Sequence, residues 1–159
     1  GLVLMVPRKG AEVADIKEKN LRDVLEVRGA LEELAVRLAC DKITDAQIED
    51  LKRAAMDFKV TLESCDITKI AEADVKFHDV IYEATDNKRL IQLLNNLREQ
   101  MYRYRVEYLK NESAYPKLLK EHEDIIEKIE NREKQAAVDM VCQHIENQVD
   151  AVVDTIRTK

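Results

Sequence analysis

The stretch AEADVKFHDVIYEATDN, residues 71–87, places Asp74 and His78 four residues apart. On an α-helix this spacing puts both side chains on one face. That face is also apolar, because it carries Ile70, Phe77 and Ile81 at helical spacing. A carboxylate and an imidazole that point into a core each cost roughly a few kcal/mol unless something satisfies them. We infer that a divalent metal does so and that other helices complete its coordination.

The composition predicts one all-α domain. The 159 residues are 36% charged and 45% apolar, with only three Gly and two Pro, a mix rich in helix formers and poor in turn formers. A net charge of −6 argues against a nucleic-acid-binding surface, and no apolar run approaches the roughly 18 residues of a membrane span.

The three cysteines, Cys40, Cys65 and Cys142, are scattered along the chain and indicate no disulfide framework. They favour a reducing, cytoplasmic location.

Helical periodicity extends from about residue 17 to the end and predicts six helices in an antiparallel bundle. A capping box at Thr44 opens the second helix, and Asp66 caps the third. Short connections between these helices favour antiparallel neighbours. The last three helices carry apolar stripes over residues 90–108, 118–129 and 137–152.

Residues 1–16, GLVLMVPRKGAEVADI, differ from the rest of the chain. Residues 2–6 resemble a strand, 7–10 a turn and 11–16 a returning strand. Two short strands alone are marginally stable at best. We therefore expect this hairpin to belong to a larger unit upstream, and the chain, which starts with Gly, to be a piece of a longer protein.

The chain has three histidines, His78, His122 and His144, and each falls on the apolar stripe of a different helix. Any one of them alone could be a hydrogen-bonded core histidine. Together with Asp74 they make a plausible ligand set for one divalent transition metal, Zn²⁺, Ni²⁺, Mn²⁺ or Fe²⁺. A ferritin-like di-iron site is excluded, because it needs Glu three residues before His on two helices, and no histidine here has one.

A hydrolytic zinc enzyme would need a general base as well as an open metal position. Glu121 and Glu123 flank His122, but flanking residues on a helix point away from it. We therefore expect both glutamates at the solvent-exposed surface.

Arginines on two helices are candidates for binding a carboxylate effector. Arg28 lies within the apolar stripe of the first helix, where its guanidinium either binds a ligand carboxylate in bidentate fashion or forms an intramolecular salt bridge. Arg98 and Arg105 flank the stripe of the fourth helix and either do likewise or face solvent.

Four segments spread over nearly the whole chain carry a resemblance to a known family, in that family's order: VLEVRGALEELAVRLA (24–39), DVKFHDVIYEATDNKRL (74–90), KEHEDIIEKIENREKQAA (120–137) and MVCQHIENQ (140–148). Together they resemble the C-terminal effector domain of FadR-type GntR transcription regulators, the FCD domain. The resemblance implies metal ligands at Asp74, His78, His122 and His144, with effector-binding arginines at Arg28 and, more loosely, Arg105.

The same resemblance implies the organisation of the protein. Residues 1–16 are similar to the wing and linker that end a winged-helix domain, and residues 17–159 then form the helical effector-binding and dimerisation domain. A seventh helix near residues 15–20 is also implied. The partners implied are a small organic-acid effector, a second copy in a homodimer, and operator DNA bound through the winged-helix domain.

We therefore expect a non-enzymatic, ligand-sensing domain that controls operator binding. Two alternatives from other classes remain open at this point. One is a metal-dependent enzyme acting on a small carboxylate, and the other is a purely structural dimerisation module.

Overall fold

A bundle of seven α-helices accounts for nearly all of the chain that the structure describes. The structure is a computed structural model that describes residues 3–6, 10–13 and 17–157. A short 3₁₀ turn, Glu112–Ala114, precedes the sixth helix. The helices are α1 (Glu18–Lys42), α2 (Asp45–Leu62), α3 (Ile67–Ala84), α4 (Lys88–Asn96), α5 (Arg98–Leu109), α6 (Tyr115–Glu130) and α7 (Lys134–Arg157). The predicted all-α bundle is confirmed.

Two short strands precede the bundle, β1 (Val3–Val6) and β2 (Gly10–Val13). They pair antiparallel, with Val3 opposite Val13 and Val6 opposite Gly10. The predicted turn at 7–9 and the end of the predicted second strand at 14–16 lie outside the described residues. The assignment of 1–16 to a wing and linker, and the domain boundary at residue 17, stay predictions.

Side-chain caps fix the starts of the central helices, as the sequence predicted. The Thr44 hydroxyl accepts a hydrogen bond from the Gln47 backbone N–H at 3.2 Å, and the Gln47 side chain accepts one from the Thr44 N–H at 3.1 Å. Asp66 accepts from the backbone of Thr68 and Lys69 at the start of α3. These bonds satisfy N–H groups that have no partner within the helix.

The predicted single fourth helix is wrong, because it is divided into α4 and α5 at Leu97. Just after the break, Arg98 donates to both carboxylate oxygens of Asp79 on α3, at 2.8 and 3.1 Å, and to the Asn95 side chain. These bonds hold the start of α5 against α3. The seventh helix therefore comes from this break. No separate helix lies at the described residues 17–20, where α1 has already begun at Glu18.

Helix α3, which carries Asp74 and His78, packs against several other helices. It packs against α2, α1 and α5, whereas α7 packs against α1 and α6. Arg132, in the turn between α6 and α7, has a left-handed backbone (φ 56°) and donates to the Cys40 and Ile43 carbonyls, each at 2.7 Å. This contact ties the α6–α7 turn to the carboxyl end of α1, the helix against which both α6 and α7 pack. No helix in the described part of the chain is long and apolar enough to cross a membrane.

Replacing Thr44 by Ala should lower the free energy of unfolding by about 1 kcal/mol, because the capping box loses its hydroxyl. For a domain of this size the melting temperature should fall by roughly 2–4 °C. Thr68→Ala is the matched control, since Thr68 is an exposed threonine in the first turn of α3. Equal melting temperatures for the two variants would contradict the role of Thr44.

Candidate metal centre

The three histidines converge in the core of the bundle. His78 lies on α3, His122 on α6 and His144 on α7, and each is at most 1% exposed. One nitrogen of each ring lies within 4.8 Å of the corresponding nitrogens of the other two. The structure thus brings together three side chains that the sequence assigned to three inward faces, and their role as metal ligands stays a prediction.

Aromatic packing fixes the orientation of His122. Its ring stacks on Phe77 of α3 with the centroids 4.0 Å apart and the planes 17° apart. Phe58 of α2 packs on it at 4.9 Å and 60°. Because both phenylalanines are fully buried, this imidazole has little freedom to turn toward solvent.

No ring nitrogen of His78 or His122 makes a hydrogen bond of good geometry, although all four atoms are buried and Nε2 of His122 lies 3.1 Å from an oxygen of Asp74. Leaving a buried polar group unsatisfied costs about 1–3 kcal/mol. A divalent transition metal takes an imidazole lone pair as a ligand and removes part of that cost. The donor set therefore fits a metal ion of this kind.

His144 is held differently, by a carboxylate. Its Nδ1 lies 2.8 Å from Oε2 of Glu121, and the other oxygen of Glu121 accepts from the Asn147 side chain at 2.5 Å. A carboxylate at Nδ1 favours the tautomer that keeps the Nε2 lone pair free to act as an acceptor or ligand. On this nitrogen the Gln148 amide lies 3.0 Å away.

The expectation that Glu121 faces solvent is wrong, whereas Glu123 is exposed as predicted. The Glu121 side chain is only 14% exposed. It points away from His122, as helical geometry requires, but toward α7, which packs alongside α6. No local pattern in the sequence identifies this partner, because His144 is 23 residues away.

Asp74 lies between two of the histidines and an arginine. Its Oδ1 is 3.1 Å from Nε2 of His122, and its Oδ2 is 3.9 Å from Nε2 of His78. Arg105 of α5 donates from Nε to Oδ2. The predicted effector-binding Arg105 is therefore buried against a predicted metal ligand in this packing, and both assignments stay predictions.

Arg28 is buried in the same region and forms the salt bridge that was its alternative role. Its Nε donates to Oε1 of Glu32 at 2.9 Å, and its Nη1 donates to Gln148 at 3.0 Å. The Tyr82 hydroxyl also donates to Oε1 of Glu32, at 2.5 Å, and Oε2 lies 3.6 Å from Nδ1 of His78. The remaining guanidinium nitrogen, Nη2, has no partner.

The sequence interpretation missed three residues of this cluster: Glu32, Tyr82 and Gln148. The sequence pattern could have identified Glu32, because this residue lies one helical turn after Arg28 on the same buried face. Tyr82 likewise lies one turn after His78. Gln148 gave no comparable signal, because its partner Arg28 lies 120 residues earlier in the chain.

Burial and neighbouring charges set the protonation states. Burial lowers the pKa of His122 to about 4, outweighing the opposing effect of Asp74, and burial likewise lowers the pKa of His78. Burial alone would raise the pKa of Asp74, but Arg105 and His122 hold it well below its usual range. Arg28 and His78 do the same for the pKa of Glu32. At neutral pH these two imidazoles are neutral and the carboxylates charged, which are the forms that bind metal.

A family model and curated relatives both match this chain over most of its length. A sequence model of the FCD domain matches residues 23–147. The uncharacterized HTH-type transcriptional regulator YdhC of Bacillus subtilis (strain 168) is 23% identical over 145 residues, and the HTH-type transcriptional repressor RspR of Escherichia coli (strain K12) is 25% identical over 146. The matches cover 91% and 92% of this chain but 65% and 64% of the two relatives, so the chain spans slightly less than two thirds of their length.

Solved structures share the fold. The E. coli protein McbR/YncC superposes with a TM-score of 0.86 at 14% identity, covering 97% of this chain and 78% of that one. The FCD domain of TM0439 has been solved metal-free and with Zn²⁺ bound. These two structures have TM-scores of 0.76 and 0.72 at 20% and 21% identity, and each covers 92% of this chain and 100% of that one.

Acidification should destabilise the metal-free protein. The pKa of His122 is about 4 in the folded state, against about 6.5 in an unfolded chain. Between these values the unfolded chain binds a proton that the folded protein excludes, so stability falls as pH falls. This histidine should cost about 2 kcal/mol between pH 7 and pH 5.

Urea unfolding at both pH values, in the presence of a chelator, measures this loss. His122→Gln should reduce the difference by about that amount, because a neutral amide does not titrate. The contribution of His78 has the same sign and remains in the variant. A variant with the full wild-type pH dependence would show that His122 does not exclude the proton.

Proposed function

The chain belongs to the FCD domain family, and from that membership we propose that it is the ligand-sensing domain of a DNA-binding transcription regulator. Both relatives described above are named as transcription regulators and not as enzymes. On this proposal a winged-helix domain, to which residues 1–16 contribute the wing and linker, binds the operator, and residues 17–159 bind the effector and form the homodimer. Such a regulator acts on DNA in the cytoplasm.

The proposed sensor contains a divalent transition metal held by His78, His122, His144 and Asp74. The observation that carries this proposal is the group of buried imidazole nitrogens within 4.8 Å of one another, several of which have no hydrogen-bond partner. Zn²⁺, Ni²⁺, Mn²⁺ and Fe²⁺ all accept such a ligand set. The zinc-bound neighbour supports zinc as the first metal to test.

The proposed effector is a small organic acid that binds beside the metal and Arg28. Two buried arginines, Arg28 and Arg105, balance two buried carboxylates, Glu32 and Asp74. With neutral imidazoles, a divalent ion adds a positive charge that the core does not neutralise, and this favours an anionic ligand. Arg28 is the better candidate contact, because its Nη2 is buried without a partner.

Effector binding would act by favouring one packing of the helices over another. A ligand shifts such an equilibrium only by its difference in affinity for the two states, typically about 1–3 kcal/mol in allosteric proteins. Within a homodimer, that shift would change the relative positions of two winged-helix domains on a palindromic operator. No catalytic step is required. Glu121, which the sequence offered as a possible general base beside His122, is already bound by His144 and Asn147.

Elemental analysis of the purified protein tests the metal centre. We expect about one equivalent of a transition metal per chain, and loss of that metal in the Asp74→Ala/His78→Ala double variant. Glu123→Ala is the control, because this acidic residue adjoins His122 but is exposed. Circular dichroism should show that all three proteins are helical. A wild-type protein that contains no metal, and takes up none when metal is added, would contradict the metal centre.

The role of Arg28 can be tested with the zinc-loaded protein and a panel of small carboxylates at constant ionic strength. At least one carboxylate should raise the melting temperature of the wild type, since a ligand of the folded state stabilises it. Arg28→Lys keeps the charge but loses the bidentate geometry, so its affinity for the carboxylate should be at least tenfold lower. The rise in melting temperature at a given carboxylate concentration should therefore be smaller. Arg22→Lys, an exposed substitution on the same helix, should behave like the wild type.

If no carboxylate stabilised the wild type, the structural dimerisation module would be the better description. If a carboxylate stabilised the wild type and Arg28→Lys equally, the effector would be bound without Arg28.

A further inference from the structure

The Gln148 side chain connects the two parts of the proposed sensor. It lies on α7, one turn after His144, and is 5% exposed. Its Oε1 accepts a hydrogen bond from Nη1 of Arg28 at 3.0 Å. Its Nε2 lies 3.0 Å from Nε2 of His144. One carboxamide therefore spans the distance between the buried guanidinium and the imidazole.

The contact with His144 uses the lone pair that a metal would need. The Glu121 carboxylate lies at Nδ1 of His144, so this nitrogen carries the hydrogen and Nε2 accepts from the Gln148 amide. A metal–imidazole bond of about 2.0–2.1 Å uses the same lone pair. The amide and a metal cannot both occupy it, so His144 would have to release Gln148 in order to hold a metal.

Release of Gln148 also changes the surroundings of Arg28. The Nη1 group loses its acceptor, while the neighbouring Nη2 has no partner to begin with. A buried guanidinium is then left with two adjacent N–H groups and no acceptor for them, which is the arrangement that binds a carboxylate in bidentate fashion.

We propose that the Gln148 carboxamide is an internal occupant of the position that the effector's carboxylate takes between Arg28 and a metal bound at Nε2 of His144. A carboxylate has the same planar shape as a carboxamide and offers two acceptor oxygens, one for Arg28 and one directed toward the metal. The inference rests on the proposed function and identifies which group of the chain the effector replaces. It also makes the carboxylate site depend on metal loading.

The surrounding charges indicate a ligand with one carboxylate. Glu32 already occupies Nε of Arg28, so only the Nη1–Nη2 end of the guanidinium is available. The second oxygen of Glu32 is buried, has no hydrogen-bond partner and lies close to His78. A second carboxylate on the ligand would be repelled by this charge at low local dielectric. The chemical class is therefore a small monocarboxylate.

Three variants of the full chain test the proposal. Gln148→Ala removes the internal occupant, Gln148→Glu replaces it with a tethered carboxylate, and Gln143→Ala is the control, an exposed glutamine on the same helix. Zinc affinity is measured by competition with a chelating dye. The response to acetate and to malonate is measured as a shift in melting temperature of the zinc-loaded protein at constant ionic strength.

Gln148→Ala should bind zinc about threefold to tenfold more tightly than the wild type, because no hydrogen bond has to be displaced. Gln148→Glu should also bind zinc more tightly but should lose the acetate-induced rise in melting temperature, since its own carboxylate fills the site. The wild type and Gln143→Ala should respond to acetate, and less to malonate. If Gln148→Ala does not fold, Gln148→Leu keeps the bulk without the hydrogen bond and should show the same gain in zinc affinity.

The outcomes separate this inference from the proposed function. Failure of the wild type to bind zinc overturns both. Zinc binding by the wild type with equal or weaker binding by Gln148→Ala overturns the inference alone, as does a wild-type acetate response in Gln148→Glu. A larger response to malonate than to acetate overturns the assignment to monocarboxylates.

Discussion

Charge balance inside the bundle is the constraint on which the rest of the structure depends. Arg28 pairs with Glu32, and Arg105 pairs with Asp74, and all four side chains are nearly inaccessible to solvent. Burying an ion costs several kcal/mol, and a buried pair left with one partner loses about 3–5 kcal/mol. The pairs therefore tolerate little rearrangement. Because Arg105 comes from α5 and Asp74 from α3, the second pair fixes how α5 packs on α3.

The same constraint explains why histidines, rather than more carboxylates, line the remaining space. Burial lowers the pKa of His78 and His122, so these rings enter the core without charge. They leave the two ion pairs balanced but keep lone pairs that the apolar surroundings do not satisfy. The core tolerates such a site without a metal, and the folded protein would become more stable if a cation bound to those lone pairs. On the proposed function, the same side chains would contribute both to stability and to metal binding.

The sequence was informative where the relevant pattern is local. Helical spacing identified His78, His122 and His144 as inward-facing, and the caps at Thr44 and Asp66 follow from contacts over two or three residues. The break at Leu97 was missed because the apolar stripe continues across it from Leu94 to Met101, so the periodicity of one long helix is preserved.

Partners from distant helices could not be assigned in the same way. Glu121 reaches His144 on α7, and Gln148 reaches Arg28 on α1. Periodicity shows which face of a helix is buried, but it does not show which residue of another helix that face meets. Glu32 was also missed, although it lies on the same helix as Arg28 and its spacing of four residues would have been enough to predict the salt bridge.

A ligand at this centre could not act on one helix alone. The cluster is built from α1, α3, α5, α6 and α7, and its side chains are buried in a protein interior, where a displaced group moves its neighbours. Movement of the single amide of Gln148 would alter the contacts of Arg28 on α1 and of His144 on α7 together. A net hydrogen bond is worth about 0.5–1.5 kcal/mol, and allosteric coupling typically about 1–3 kcal/mol. The two hydrogen bonds of one buried carboxamide are therefore comparable in free energy to an allosteric coupling, and a ligand that replaced them would shift the packing by the difference between its own contacts and these.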